Sequence, residues 1–445
     1  MNSPSLARGR SIRNPRSWTS NSFISVVATA LITWIVSTFY HNYNYFSSPS
    51  PSSLQQLRLL KRRQRGIYFE QKEEELLHEQ HKNDNDSGGG VQGGKGFTTA
   101  HQHTYINMTS YRGPSTVWKS VKDSQKRHWC VPNNGEGHML TEPAHEGLLF
   151  QRPVKTGSTT LTAIMLRMIK RYSSDSSNCK YRAMHKTSRT LEFGKRDRTR
   201  SYLWSVIRDP TKKAISRYFH FDVSIGQKAP TDEHFLTIMK RPYNQNDLTQ
   251  QLILSNNFHN QQLVGGASNT NNNNVKEIDL IVKDILDGYD FIALTERMDE
   301  SLVVFMHLLG LDLYDILYIK ARSSGTFSNG VKDRQCVYLI PSFLTPTMSE
   351  FFHSEEWKNS NAVDIRLYQA VYTSLDNTIL EIDKFQRTLQ EFQTLQQTAA
   401  KFCENKVRSI CDEGGTPIPK VNRTCIIWGE GCDFDCLAEF QRIHT

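Results

Sequence analysis

The stretch that most constrains this chain is Phe150–Tyr172, which packs a strand end, a glycine turn and a helix start into a few residues. Gly147-Leu148-Leu149-Phe150 is a short apolar run of strand type. After the turn, Leu161, Ile164, Met165, Met168 and Ile169 recur at helical spacing and predict one buried helix face. Ser158, Thr159 and Thr160 fall where that helix begins, and hydroxyl residues are favoured caps there. A helix N-terminus behind a glycine turn offers backbone N–H groups to an anion, and Lys155 adds a full positive charge. The plainer reading is a polar turn without a ligand; the lysine beside the glycine favours a phosphate-binding loop.

The loop is not a Walker A motif, which places lysine after a second glycine and follows it with a hydroxyl for magnesium. Here lysine precedes the single glycine, in Pro153-Val154-Lys155-Thr156-Gly157-Ser158-Thr159-Thr160. That order resembles the 5′-phosphosulfate loop of sulfotransferases that use 3′-phosphoadenosine 5′-phosphosulfate (PAPS). A second stretch points the same way. The strand-like run Tyr202–Ile207 leads into Arg208-Asp209-Pro210-Thr211-Lys212-Lys213-Ala214-Ile215-Ser216-Arg217-Tyr218, with Asp209 and Pro210 suited to cap a helix. It resembles the family's 3′-phosphate segment, R-D-P-x-x-R-x-x-S-x-Y. Lys213 stands where arginine is usual, keeping the charge and losing the bidentate fork.

Further on, Thr295-Glu296-Arg297-Met298-Asp299-Glu300-Ser301 is similar to a T-E-x-x-(D/N)-E-S region of Golgi carbohydrate sulfotransferases, closest to the galactose 3-O-sulfotransferase group. Asp315-Ile316-Leu317-Tyr318 and Asp364 with Leu367 and Tyr368 extend the likeness. The helical tract over Asn361–Asn405 and the cysteine-rich tail depart from it. The resemblance implies an α/β, P-loop-like sulfotransferase fold, a central parallel sheet flanked by helices. It also implies PAPS as co-substrate with no required metal. On this likeness Lys155 neutralises the leaving oxygen, while Thr156, Gly157, Ser158, Thr159 and Thr160 hold the 5′-phosphate. Arg208 and Ser216 would hold the 3′-phosphate. The acceptor hydroxyl needs a general base; in related Golgi enzymes this lies near or between the two phosphate segments. His185 fits, with Glu192 the second choice and a surface histidine the plain alternative.

A chain of 445 residues has room for one large domain with accessory segments. Its net charge of +9 suits a nucleic acid, a membrane surface or an acidic substrate. No nucleic-acid module is recognisable, so nucleic acid is set aside. Between the phosphate segments, Lys180–Arg200 is dense in cations. For most of them a solvated face is the plain reading, and a cleft wall that attracts an anionic acceptor is the functional one.

The N-terminus reads as a membrane anchor. Arg8, Arg10, Arg13 and Arg16 precede the uncharged run Phe23–Tyr40, close to the length a membrane-spanning helix needs. The expected layout is a cytoplasmic tail over 1–21, a signal anchor over 22–40 and a lumenal stem over 41–125. A catalytic domain follows over 126–400, then a cysteine-rich extension over 401–445. A cleaved signal peptide competes with the anchor, but no small-x-small site follows the run. Leu54–Gln80 could dimerise the chain as a coiled coil; it lacks sustained heptads, so a solvated spacer is preferred. Sequons at Asn85, Asn107 and Asn422 and eight cysteines, five of them after residue 400, suit the secretory pathway. Cys432 and Cys436 lack the second ligand pair that a zinc site needs.

These readings converge on a single-pass type II Golgi membrane protein that sulfates a glycan hydroxyl. Protein-tyrosine sulfation and a non-catalytic lumenal glycan-binding protein on the same fold remain the alternatives. A lumenal P-loop kinase would need a Walker lysine and magnesium carboxylates, neither of which is found.

Overall fold

The computed structural model describes residues 111–121, 129–130, 132–133, 145–173, 178–254, 272–319, 326–328, 336–404, 406 and 434–444. The chain divides into two units, Met1–Phe97 and Thr98–Thr445, and every described residue belongs to the second. The anchor at 22–40, the stem up to residue 110, the sequons Asn85, Asn107 and Asn422, and Cys411, Cys425 and Cys432 lie outside the described residues. Among the described residues no helix is long and apolar enough to cross a membrane.

The main elements among them, in chain order, begin with β1 (Pro132–Asn133), β2 (Gly147–Gln151), α1 (Ser158–Tyr172), β3 (Asn178–Cys179) and β4 (Tyr181–Met184). Next come β5 (Ser201–Ile207), α2 (Pro210–Arg217), α3 (Asp232–Met239), α4 (Asp247–Leu252), α5 (Asn272–Gly288), β6 (Phe291–Leu294) and α6 (Met298–Leu309). The chain continues through β7 (Thr326–Ser328), β8 (Cys336–Tyr338), α7 (Pro346–His353), α8 (Glu355–Ser360), α9 (Ala362–Leu380), α10 (Phe385–Cys403) and α11 (Phe434–His444). A π-helix over Tyr218–Ile225 continues α2.

The fold is α/β, built on a four-stranded parallel sheet in the order β4-β2-β5-β6 with helices flanking it. Every residue of β2, β5 and β6 is buried. That is why Leu148–Phe150 and Tyr202–Ile207 read as largely apolar runs rather than alternating ones. The register sets Phe150 beside Trp204 and Trp204 beside Phe291. Phe150 and Trp204 stack at 4.1 Å, and Phe305 of α6 stacks on Trp204 at 4.3 Å. The chain runs from β2 out to β4 and then returns past β2 to β5. The strand order therefore reverses between β2 and β5, the switch point at which open α/β sheets bind ligands.

α1 buries the face read from its sequence, and Thr160, Thr162, Ala163 and Arg167 as well, so it is covered on most sides. Arg167 donates to the carbonyls of Tyr314, Asp315 and Leu317. Asp315 in turn accepts from Arg171 at 2.6 Å and from the Tyr172 hydroxyl at 2.9 Å. The last turn of α1 is thereby clamped, which fixes where its first turn points.

Two boundaries differ from expectation. Residues 111–121, expected in the stem, are built into the folded unit. Trp118 is buried and meets Phe291 edge-on at 5.1 Å, and the Thr116 and Trp118 N–H groups donate to the hydroxyls of Ser374 and Thr378. At the other end, Cys403 bonds to Cys436, and Leu437 and Phe440 of α11 enter the main core. A second disulfide joins Cys130 to Cys179.

α4 and α9 cap each other. The Asp364 carboxylate accepts from the N–H groups of Leu248 and Thr249 and from the Thr249 hydroxyl. The Asn246 side chain accepts from the N–H groups of Val363 and Asp364. Burial dominates the Asp364 titration and pushes its carboxyl up to about 6. A carboxyl whose folded pKa is raised binds its proton more tightly folded than unfolded, so this residue's contribution to stability falls as pH rises from about 4 to about 6. We expect that decline to reach about 3 kcal/mol at most. Denaturant titrations of Asp364→Asn across the same range should lack this slope, even though the variant is less stable overall.

Candidate functional site

The site is built where β2 and β5 end. Beyond β2, the chain turns through Lys155 at φ +64° and Gly157 at φ +73°, both in the left-handed region. Gly157 is the N-cap of α1, and no side chain caps the helix. Of the hydroxyls expected to do so, Ser158 lies within the first turn and donates to the Pro153 carbonyl at 3.1 Å, as Thr156 does at 2.9 Å. Thr159 and Thr160 follow in that first turn, half-buried and buried respectively.

The other loop carbonyls are also taken from behind. The Thr295 hydroxyl sits 2.8 Å from Thr156 O, and Arg208 Nη1 donates to Lys155 O at 3.4 Å. The Gln251 amide oxygen accepts from Val154 N at 3.2 Å. With the Pro153, Lys155 and Thr156 carbonyls hydrogen-bonded within the protein, the positive end of α1 is a place where an anion is favoured. Lysine in the left-handed region costs roughly 1–2 kcal/mol, and strain of this kind collects at functional sites.

Beyond β5, Asp209 caps α2 by accepting from Lys212 N at 2.9 Å, with Pro210 in the first turn, as its sequence predicts. Arg208 lies between the two loops with 28% of its side chain exposed; its nearest carboxylate, on Glu296, is 3.8 Å from Nε. Nε makes no hydrogen bond. Burial lowers the Arg208 pKa while Glu296 and Asp209 raise it. Glu296 is shifted up, by burial first and then by the neighbouring Asp209 charge.

Ser216 is half-buried near the end of α2, about 9 Å along the helix from Pro210 at 1.5 Å per residue. Lys213, which replaces the usual arginine of the resembled motif, is buried and pairs with Asp247, as does Arg217 at 2.8 Å. Its charge is committed inside the protein.

His185 directly follows β4, exposed, with its ring Nδ1 2.8 Å from the Arg152 carbonyl. A carbonyl can only accept, so Nδ1 carries the proton and Nε2 is the basic nitrogen of the neutral ring. Glu192 sits on the surface at φ +53° and pairs with Lys195 at 2.6 Å. That hydrogen bond holds its carboxyl below the usual range, which suits a base poorly. Lys155, Arg208 and His185 thus follow the ends of three neighbouring strands, β2, β5 and β4.

The basic segment 180–200 is mostly self-satisfied. Lys180 and Arg200 both pair with Glu146. Arg196 is buried against the Gly288 carbonyl and Asp290, and Arg198 donates to the Asp287 carbonyl. Lys186, exposed beside His185, is a remaining cation on the site side. A cavity of about 260 Å³ lies at the opposite end of the sheet, lined by Trp118, Tyr202 and Asp290, where β5 and β6 start. Among the described residues no three His, Cys, Asp or Glu side chains are grouped to hold a metal ion. No protein-family model matches the chain, and no curated protein matches it.

The left-handed lysine separates stability from binding. Lys155→Gly removes the strain of a β-carbon at φ +64° and adds chain entropy to the unfolded state. We expect it to be neutral or to stabilise by up to about 1 kcal/mol in denaturant titrations. The same variant should lose only part of its anion affinity, because Arg208 and the α1 N-terminus remain.

Proposed function

We propose that this chain is a PAPS-dependent sulfotransferase of the Golgi lumen, held in the membrane by residues 22–40, that sulfates a hydroxyl of a glycan. The observation that carries the reading is the meeting, at the β2/β5 switch point, of an uncapped helix N-terminus, Lys155 and a half-desolvated arginine whose Nε makes no hydrogen bond. Such a pair of cationic loops suits a nucleotide with phosphates at both ends. The order of the motifs in the sequence supports the same nucleotide.

Sulfuryl transfer is mainly positioning and charge neutralisation. The α1 N-terminus with Thr156–Thr160 would hold the 5′-phosphate, and Arg208 with Ser216 the 3′-phosphate. Lys155 would offset the charge that develops on the bridging oxygen. Nε2 of His185 would take the proton of the acceptor hydroxyl, its ring aimed by the Arg152 carbonyl. Lys186, one residue on, would favour an acceptor that is itself anionic.

Calorimetry with adenosine 3′,5′-bisphosphate and AMP tests the nucleotide site. The bisphosphate should bind about tenfold tighter or more, since hydrogen bonds to charged groups contribute about 1.5–3 kcal/mol each; equal affinities would defeat the reading. Labelled PAPS offered with glycans, glycolipids and peptides tests the acceptor, and label entering peptides alone would make the protein a tyrosine sulfotransferase. Lys155→Ala should abolish turnover, with the loss mainly in kcat. His185→Ala should lower kcat by about 10²–10⁴-fold, leave nucleotide affinity unchanged, and remove the acid limb of the pH–rate profile.

A further inference from the structure

Between the two candidate phosphate loops stands a dipeptide that belongs to neither. Thr295 and Glu296 follow β6, the neighbour of β5. The Thr295 hydroxyl lies 2.8 Å from the Thr156 carbonyl in the first loop and 2.9 Å from the Ile207 carbonyl, the residue before Arg208. One hydroxyl therefore bridges both loops, sharing its proton between two carbonyls.

Glu296 takes the next step along the second loop. Its carboxylate accepts from Asp209 N at 3.2–3.3 Å and from the Tyr368 hydroxyl at 3.3 Å, and it faces Arg208 Nε at 3.8 Å. The side chain is only 9% exposed. A carboxylate is costly to bury unless it is paired, and this one sits beside a second carboxylate, Asp209, as well as beside the arginine. Its effect is to hold the backbone of Asp209 and to turn the Nε side of Arg208 inward. The other edge of the guanidinium, bearing Nη1 beside the Lys155 carbonyl, is thereby directed toward the first loop.

We propose that Thr295 and Glu296 are positioning residues that set the spacing of the two loops and the aim of Arg208, and so determine that the site selects a nucleotide carrying a second, 3′-phosphate. The inference rests on the nucleotide reading above and adds to it residues that touch no ligand themselves. Tyr368 extends the support to α9, so the aim of Arg208 depends on a helix far along the chain.

Adenosine 3′,5′-bisphosphate and AMP, titrated against the parent chain, Glu296→Ala and Glu296→Gln, test it. If Arg208 needs the carboxylate to aim it, Glu296→Ala should weaken the bisphosphate about tenfold and leave AMP within about twofold, collapsing the preference. Glu296→Gln keeps an acceptor for Asp209 N and should recover most of the preference; because it disturbs the backbone least, it also serves if the alanine variant fails to fold. Equal weakening of both nucleotides, or a preference untouched in the alanine variant, overturns the positioning role. So does a glutamine variant no better than alanine. A parent chain without any preference would instead defeat the underlying nucleotide reading, an outcome visible before any variant is made.

Discussion

Phe150, Trp204 and Phe291 lie side by side across three parallel strands, with Phe305 stacked over Trp204. Large rings in one row cannot slip by a residue without losing their stacking partners, because a one-residue shift sends every side chain of a strand to the other face. The row therefore fixes the register, and the register fixes where β2, β5 and β6 stop. Each of the loops that make the site begins within four residues of that row. Gln151 and Arg152 follow Phe150, Arg208 follows Ile207, and Thr295 follows Leu294. The chemistry at the strand ends inherits its spacing from an apolar contact that takes no part in it.

Charge is handled differently in the two halves of the site. Behind α2, Lys213 and Arg217 close on Asp247, whose carboxyl they draw below its usual range against the cost of burial. Gln251 then carries that cluster to Val154 in the first loop through its amide. In front, Arg208 has carboxylates nearby but no hydrogen bond at Nε. The rear cluster is a closed ion-pair network that engages both of its cations. The loss of a bidentate fork at Lys213 matters little for the same reason, since that side chain is turned to Asp247.

The sequence made the central strands and the α2 cap legible because both are local. A largely apolar run needs burial on both faces, and Asp209-Pro210 carries its cap in adjacent residues. Lys155 and Arg208 could be singled out for the same reason. What stayed hidden depends on distance in space. Ser158 looks like a helix cap in sequence, yet its hydroxyl donates to the Pro153 carbonyl instead. β4 was unreadable because Tyr181–Met184 is a four-residue edge strand inside a run of cations. Residues 111–121 looked like stem because so few of them are apolar, and their anchors are hydroxyls of α9 roughly 260 residues away. Thr295 and Glu296 were noticed only as part of a resemblance; their link between the loops exists solely in three dimensions.

The mutual caps of α4 and α9 have a consequence for how the chain is made. Asp364 and the N–H groups it receives are about 115 positions apart, so a ribosome adding roughly 5–20 residues per second needs about 6–23 seconds between them. Throughout that interval α4 has emerged without its cap, and Asp247, which anchors Lys213 and Arg217, sits on a helix that nothing yet holds. The strands at the heart of the sheet can meet early, while the rear wall of the site must wait for a segment synthesised long after it. Assembly of this unit is thus gated from its far end. A chain arrested or cut before residue 364 would carry both candidate phosphate loops and still lack the support behind them.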